Sequence, residues 1–139
     1  MTGPSHRLIA ASGAVLLGAS PLHVAAVALG ATMPDAIEIV GLKHRGVSHW
    51  PVPWAGLVYW LFSSGEPVMI LLGWVIAGAL FHIVSDFFTI GGVPLLLPRW
   101  RMRLGFLRTG KMGEYIVAAG MVSLAVMKVL HVPMTLYGP

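Results

Sequence analysis

An apolar segment from Val68 to Phe88 constrains the fold more than any other feature of the sequence. One α-helix of this length would cross the roughly 30 Å hydrocarbon core of a bilayer. Near its end stand His82 and Asp86, four residues apart and therefore on one helical face. An aspartate at the centre of a membrane helix costs about 2.5–3.5 kcal/mol, so such a pair is expected to have a partner or a function. Two interpretations stay open: ligands of a shared divalent metal ion, or an ordinary His–Asp hydrogen bond between packed helices.

The composition is that of a membrane protein. Of the 139 residues, 57% are hydrophobic and only 10% are charged, whereas soluble domains have about 25% charged residues. The sequence predicts an all-α fold, an integral membrane helical bundle of about four to five helices, in a single domain over residues 1–139. Because the chain has no cysteine, any metal site must use His, Asp and Glu side chains.

Three further apolar segments complete the predicted bundle. Residues 54–62 and 115–130 each predict one helix. Residues 8–31 are interrupted at Ser20-Pro21, so they form either one kinked span or a hairpin of two short or re-entrant helices, about 8–19 and 22–32. A cleaved signal peptide is a third possibility for this segment.

Basic residues indicate the orientation. Five of the nine lie between Arg99 and Lys111, and such a block beside apolar helices is typical of the cytoplasmic side, where it meets anionic lipid. We therefore predict a multi-pass inner-membrane protein with membrane lipid as a partner. Nucleic-acid binding is not expected, because no reading motif accompanies the block. In the hairpin arrangement, four polar sets meet at the cytoplasmic face: His6, residues 35–49, the His82/Asp86 pair and the basic loop.

Two polar stretches contain candidate site residues. Asp35 and Glu38 follow Pro34, are three residues apart and share a helical face, as metal-bridging carboxylates do. The alternative is an ordinary helix start, where acidic side chains are favoured by the helix dipole. The stretch from His44 to His49 contains two histidines and Arg45. A turn at Gly46 would bring the histidines together, and the arginine would bind a phosphate or a carboxylate; the alternative is a basic juxtamembrane loop.

Several reaction classes lack their motifs. The chain has no GxSxG, no phosphate-binding Walker loop and no HExxH. Ser85 lies between His82 and Asp86 in sequence but on a different helical face, so serine nucleophile chemistry has no support. Arg108 is a candidate for binding an anionic substrate group.

An ordered set of short motifs resembles the YdjM-type family of membrane-bound metal-dependent hydrolases, some bacterial members of which are described as LexA-regulated. The resemblance covers about residues 5–115. One position departs from the family pattern, since Ile37 stands where a second aspartate is common. The motifs are Ser5-His6, Gly30-Ala-Thr-Met-Pro-Asp35, His44-Arg-Gly-Val-Ser-His49, His82-Ile-Val-Ser-Asp86, Gly91-Gly-Val-Pro-Leu-Leu and Leu107-Arg-Thr-Gly110.

The resemblance implies a bacterial enzyme with a divalent metal site, and zinc is the expected ion. A bound metal lowers the pKa of its water to about 7 and so supplies a nucleophile for a phosphoester, in a lipid headgroup or a membrane-bound intermediate. Glu38 is the candidate general base, and Arg45 and Arg108 are the candidates for holding the phosphate. The alternative is a non-catalytic membrane protein with a structural or sensing metal site. The ligands implied by matching positions are His6, Asp35, His44, His49, His82 and Asp86.

Overall fold

The computed structural model describes residues 1–38, 46–95, 97 and 100–131. Over these ranges the chain is mostly helical, with five helices of ten or more residues and one short helix, which confirms the all-α prediction. A short antiparallel ribbon pairs Val93 with Met102 and Pro94 with Arg101. The elements are α1 (Gly3–Leu16), α2 (Pro21–Gly30), α3 (Met33–Glu38), a 3-10 turn (Val47–His49), α4 (Pro51–Ser63), α5 (Pro67–Phe87), β1 (Val93–Pro94), β2 (Arg101–Met102) and α6 (Met112–His131).

The first apolar segment forms a hairpin of two short helices, the second of the two arrangements that the sequence allowed. Gly18 ends the first helix with a φ of 81°, a conformation that glycine adopts without strain. The Ser20 hydroxyl then accepts a hydrogen bond from the His23 amide, and Pro21 occupies the first turn of α2, where a missing N–H costs nothing. Both helices contribute to one buried apolar cluster of Ala10, Ala14, Val27 and Ala31.

Helix α5 lies at the centre of the bundle and packs against α1, α2 and α4. Its contact with α2 is unusually close because glycines face backbone. A Cβ at Gly30 would overlap the carbonyl of Val75, and a Cβ at Gly78 would overlap the carbonyl of Val27. Small residues at a helix crossing allow such backbone approach. This crossing brings the C-terminal end of α2 beside the last turns of α5.

Helix α6 packs against α1 on the other side of the bundle. Ile9 and Ala118 form part of a buried apolar cluster between them, with Met1 and Met121 alongside. At the far end Lys128 donates a hydrogen bond to the carbonyl of Leu16, with Nζ and O 2.6 Å apart. That carbonyl ends α1, where a lysine satisfies a backbone acceptor and favours the helix dipole.

Two helices in the described part of the chain, α5 and α6, are long and apolar enough to cross a membrane, judged by length and composition. Helices α1, α2 and α4 have 14, 10 and 13 residues, which reach only about two thirds of the bilayer core or less. The length and composition of α5 and α6 agree with the predicted membrane spans. A multi-pass bundle with a cytoplasmic site stays a prediction.

Four helix ends meet at one end of the bundle. They are the start of α1, the end of α2, the end of α5 and the start of α6. The segment after α5 folds back over this end, since the Ile90 amide donates to the Leu107 carbonyl at 3.0 Å and the Leu107 amide donates to the Phe88 carbonyl at 3.0 Å. Polar side chains from distant parts of the sequence are thereby brought together here.

Candidate metal centre

Three histidine rings from three elements meet at this end of the bundle. His6 lies in the first turns of α1, His49 ends the 3-10 turn and His82 lies near the end of α5. The His6 and His82 rings stack with centroids 3.6 Å apart, and the Nε2 atoms of His49 and His82 lie 3.1 Å apart. All three residues are at most 1% exposed. The contacts between these rings therefore depend on which nitrogen of each imidazole bears its proton.

The proton position of His82 follows from its contact with α2. Its Nδ1 lies 2.7 Å from the carbonyl oxygen of Ala31, an atom that can only accept. Nδ1 therefore bears the proton and donates it, which leaves a lone pair on Nε2 in the neutral ring. Metal-binding histidines are held in this way, with the other ring nitrogen donating to a carbonyl or a carboxylate.

His49 is oriented by a carboxylate. Its Nδ1 lies 2.9 Å from Glu38 Oε1 and 3.1 Å from Ser48 Oγ. The Ser48 hydroxyl donates to the same Glu38 oxygen at 2.6 Å, so the proton on His49 Nδ1 is directed to Glu38 and Ser48. The indole of Trp54 on α4 donates to the Ser48 carbonyl at 2.8 Å and fixes the 3-10 turn. The lone pair of His49 therefore lies on Nε2, facing His82.

The Nδ1 atom of His6 also donates to a fixed acceptor, here a serine hydroxyl on α5. Its Nδ1 lies 2.7 Å from Ser85 Oγ. The Ser85 hydroxyl donates to the carbonyl of His82 at 2.8 Å, so it accepts from His6 Nδ1–H. Within the described residues, the buried His6 Nε2 has no hydrogen-bond partner. Unpaired buried polar atoms are rare in folded proteins, and one on a histidine among carboxylates fits a metal ligand.

Two carboxylates complete the cluster. Asp86 Oδ1 lies 3.4 Å from His6 Nε2, and Asp86 Oδ2 lies 3.8 Å from His49 Nε2 and 3.9 Å from His82 Nε2. Asp35 Oδ1 lies 3.4 Å from His49 Nε2 and 3.5 Å from His82 Nε2. The amino group of Met1 also contacts Asp86 Oδ1, at 2.5 Å. Each aspartate thus faces at least two imidazole nitrogens.

Asp35 is ionised in this setting. Burial raises its pKa, but hydrogen bonds from the Nε2 atoms of His49 and His82 outweigh burial whenever those atoms bear protons, and then hold the pKa well below its usual range. A carboxylate must be ionised to bind a metal, so Asp35 is in the form that a ligand requires.

The donor atoms fall into two groups, each with ligand atoms within 4.8 Å of one another: His6, His82 and Asp86, and Asp35, His49 and His82. Two ligands on a tetrahedral zinc ion, with bonds of about 2.0–2.1 Å, lie about 3.3 Å apart. The distances of 3.1–3.5 Å between His49, His82 and Asp35 are close to that value. His82 belongs to both groups but has one lone pair, so it binds one ion at a time. The residues present fit a zinc site.

The centre is enclosed on one side and accessible on the other. The Asp86 side chain is 2% exposed, whereas the Asp35 side chain is 44% exposed. Solvent therefore reaches the cluster along α3, past Asp35. A closed site with four protein ligands is typical of a structural metal, and an open position is typical of a catalytic one.

Five of the six predicted ligands are brought together: His6, Asp35, His49, His82 and Asp86. The sixth, His44, and the predicted phosphate-binding Arg45 lie outside the described residues. Glu38 contacts His49 Nδ1, as a carboxylate that orients a ligand histidine does. Its role as general base stays a prediction. Arg108 is exposed in the loop before α6, and its contact with a phosphate also stays a prediction.

Three residues at the centre were missed from the sequence. Ser85 was expected to face away from the pair beside it, but His6 approaches from α1 and meets its hydroxyl. Ser48 received no role although it touches both Glu38 and His49. Glu114 is fully buried and accepts hydrogen bonds from the amide and hydroxyl of Thr2, each at 2.7 Å, and from the Gly110 amide at 2.8 Å. Glu114 was not singled out in the sequence, because an acid in the first turn of a helix is common.

Searches against family models, curated proteins and solved structures found no match to this chain. The resemblance to the YdjM-type family therefore stays a prediction that depends on the motifs themselves.

Proposed function

We propose that this protein is a membrane-bound, metal-dependent hydrolase of the YdjM type that acts on phosphoesters. The observation that supports it most is the proton arrangement of the three histidines. His6, His49 and His82 each direct Nδ1–H to a fixed acceptor, so their Nε2 lone pairs face a common space with Asp35 and Asp86. Three imidazoles and two carboxylates are a typical ligand set for zinc.

A hydrogen-bonded packing cluster explains the same atoms less well. It would leave the buried His6 Nε2 with no good hydrogen bond, only the long contact of 3.4 Å to Asp86 Oδ1, and a poorly satisfied buried polar group costs about 1–3 kcal/mol. It would also hold two nitrogen lone pairs, on His49 and His82, 3.1 Å apart with no proton between them in the neutral state. A divalent cation removes both penalties and balances the charge of the aspartates.

Accessibility at Asp35 favours catalysis over a structural role. When bound, the metal would activate water and polarise a phosphoryl oxygen. The protein groups would do the rest: Asp86 and the histidines hold the ion from the buried side, and Glu38 orients His49. Substrate would arrive along the open edge beside Asp35. Arg45 and Arg108 are proposed to hold the phosphate, because arginine pairs with phosphate through two parallel hydrogen bonds.

The membrane supplies the substrate in this proposal. Helices α5 and α6 are the candidate spans. If both span, the end of α5 and the start of α6 lie at the same face of the bilayer, and we propose that the centre lies there. The basic residues of the connecting segment favour the cytoplasmic face of the inner membrane. A lipid headgroup or a membrane-bound phosphate ester can reach the centre there without leaving the bilayer.

A hydrolysis assay on protein in lipid nanodiscs tests this function. The protein is stripped with chelator and reloaded with zinc, then given aryl phosphate mono- and diesters and phospholipids in parallel. We expect zinc-dependent phosphate ester cleavage that falls by at least about 100-fold in Asp35→Asn, since charge is lost at the open edge. His131→Ala, an exposed histidine at the far end of α6, should retain full activity. Zinc-loaded protein that cleaves no soluble or lipid ester would instead favour a structural or sensing metal site.

A further inference from the structure

The segment from Trp100 to Phe106 exposes large apolar side chains at every second position. Trp100, Met102, Leu104 and Phe106 are 63%, 46%, 46% and 76% exposed. Arg101 and Arg103 alternate with them and are also exposed. Arg108 and Lys111 extend the positive charge toward α6. We call residues 100–111 the basic-aromatic loop.

Backbone hydrogen bonds attach this loop to the end of α5, next to the metal centre. The Leu104 amide donates to the carbonyl of Phe87 at 2.9 Å, the residue directly after Asp86. Arg103 Nη1 donates to the Ile90 carbonyl at 2.5 Å. The exposed side chains are therefore displayed from a fixed backbone, and any surface that they contact lies beside the centre.

Apolar and basic side chains alternate along this loop. In extended chain, successive side chains point to opposite faces, which separates Arg101 from Met102 within β2. Gly105, with a φ of 73°, turns the chain before Phe106. We call the exposed side chains of Trp100, Met102, Leu104 and Phe106 the apolar face of the loop. Four large apolar side chains in seven residues exceed what a solvent-facing loop usually presents. Aromatic rings are enriched at the membrane interface, and arginines bind lipid phosphates. An acidic protein surface would complement the arginines but would leave the apolar face uncovered.

We propose that the basic-aromatic loop lies in the headgroup region of an anionic leaflet, with its apolar face toward the acyl chains and its arginines on lipid phosphates. The metal centre is thereby held at headgroup depth. This lipid contact holds whether or not the centre is catalytic. If the hydrolase proposed above is correct, its substrate class follows: the phosphoester of an anionic phospholipid, presented by the leaflet itself.

Depth measurements on single nitroxide labels test the contact. Because the chain has no cysteine, single cysteines at positions 100 to 104 and at 106 can each be labelled alone in the full chain. In vesicles with phosphatidylglycerol, we expect labels at 100, 102, 104 and 106 to be accessible to oxygen and shielded from a water-soluble relaxant. Labels at 101 and 103 should show the reverse. Ser64→Cys, in the α4–α5 turn, and Leu72→Cys, on the exposed face of α5, serve as the aqueous and hydrocarbon references.

Spin-labelled lipids test whether the arginines of the loop bind anionic lipid. We expect phosphatidylglycerol to associate with the protein in preference to phosphatidylcholine, and Arg101→Gln with Arg103→Gln to reduce the preference by about fivefold for each arginine. Lys128→Gln, at the other end of the bundle, removes one positive charge, matches the charge change of each single arginine variant and should leave the preference unaltered. Aqueous accessibility at all six label positions, or an unchanged preference in the double variant, would overturn the proposal and favour a soluble acidic partner. These outcomes do not depend on hydrolysis, so the lipid contact and the catalytic proposal fail separately.

Discussion

His49 and His82 direct their Nε2 atoms at each other across 3.1 Å, and neither ring in its neutral form has a proton there to donate. Glu38 accepts a hydrogen bond from Nδ1–H of His49, and the Ala31 carbonyl accepts one from Nδ1–H of His82. Two lone pairs at this distance repel, so the pair is stabilised by a cation between the nitrogens, either a proton or a metal ion. Asp35, 3.4 and 3.5 Å from the same two nitrogens, supplies the opposite charge. The predictions below follow from this geometry.

Replacing Ser85 with alanine tests whether His6 is a ligand held by α5. The change removes the acceptor of His6 Nδ1–H and lets the ring rotate or change tautomer. We expect zinc affinity to fall by about 10–100-fold, as is usual when the partner of a ligand histidine is lost. Competition with a chromogenic chelator measures the affinity.

The matched control is Ser64→Ala, which removes the same kind of contact at the other end of the bundle. The Ser64 hydroxyl donates to the carbonyl three residues earlier at 2.8 Å, as Ser85 does. It should bind zinc like the unmutated protein. Equal affinity for Ser85→Ala and Ser64→Ala would exclude an oriented His6 ligand.

Glu38→Gln separates an orienting carboxylate from a general base. A glutamine oxygen still accepts from His49 Nδ1–H, so we expect zinc affinity to fall less than in Glu38→Ala, which removes the acceptor altogether. If Glu38 is also the base, Glu38→Gln retains metal but loses about 100-fold or more in turnover. Zinc titration and the ester assay on one preparation give both quantities. Zinc loss in Glu38→Gln as large as in Glu38→Ala would contradict the orienting role.

Glu114 joins the start of α1 to the start of α6 and should stabilise the metal-free protein. In Glu114→Gln, one carboxylate oxygen becomes an NH₂ group that faces the N–H donors of Thr2 or Gly110. A buried donor without an acceptor costs about 1–3 kcal/mol. We therefore expect a lower melting temperature in detergent and weaker zinc binding, since the first turn of α1 bears His6. Glu66→Gln, an exposed change before α5, is the control and should melt like the unmutated protein; an equal melting temperature for both variants would remove Glu114 from this role.

The α2–α5 crossing should not accept a methyl group. In Gly78→Ala the new Cβ would overlap the Val27 carbonyl, and backbone cannot move aside as a flexible side chain can. We expect destabilisation of about 2 kcal/mol or more and loss of metal, because the Ala31 carbonyl that orients His82 would shift. Gly56→Ala, in α4, meets no atom within 4 Å and should stabilise its helix by about 0.5–1 kcal/mol. Thermal unfolding followed by circular dichroism compares them, and equal melting temperatures would contradict the close crossing.

Periodicity and spacing were enough to predict most of the fold. The apolar runs located α4, α5 and α6 to within a few residues, and the separation of His82 from Asp86 placed them on one face. Ser20-Pro21 marked the break in the first segment but allowed a kink as well as a hairpin. The hairpin depends on α2 packing against the glycines of α5, a long-range contact that no local pattern encodes.

Sequence reasoning predicted which residues form the centre, but it did not predict how their side chains are arranged. Ser85 was discarded because only its own helix was considered, whereas its partner His6 approaches from α1. Ser48 and the Ala31 carbonyl act by fixing imidazole protons, which requires knowing which rings meet. Glu114 resembles a solvated helix-start acid until Thr2 and Gly110 are folded over it. Each of these roles arises from a tertiary contact.

Metal analysis of the purified protein tests the central claim most directly. The protein is prepared without chelators or a histidine tag, and zinc and other divalent ions are measured by mass spectrometry per mole of chain. We expect at least one ion per chain in the unmutated protein and in His131→Ala, and almost none in His82→Ala or Asp86→Ala. Unmutated protein that holds no metal, and takes up none on titration with zinc, would contradict the account and leave the cluster as buried ion pairs.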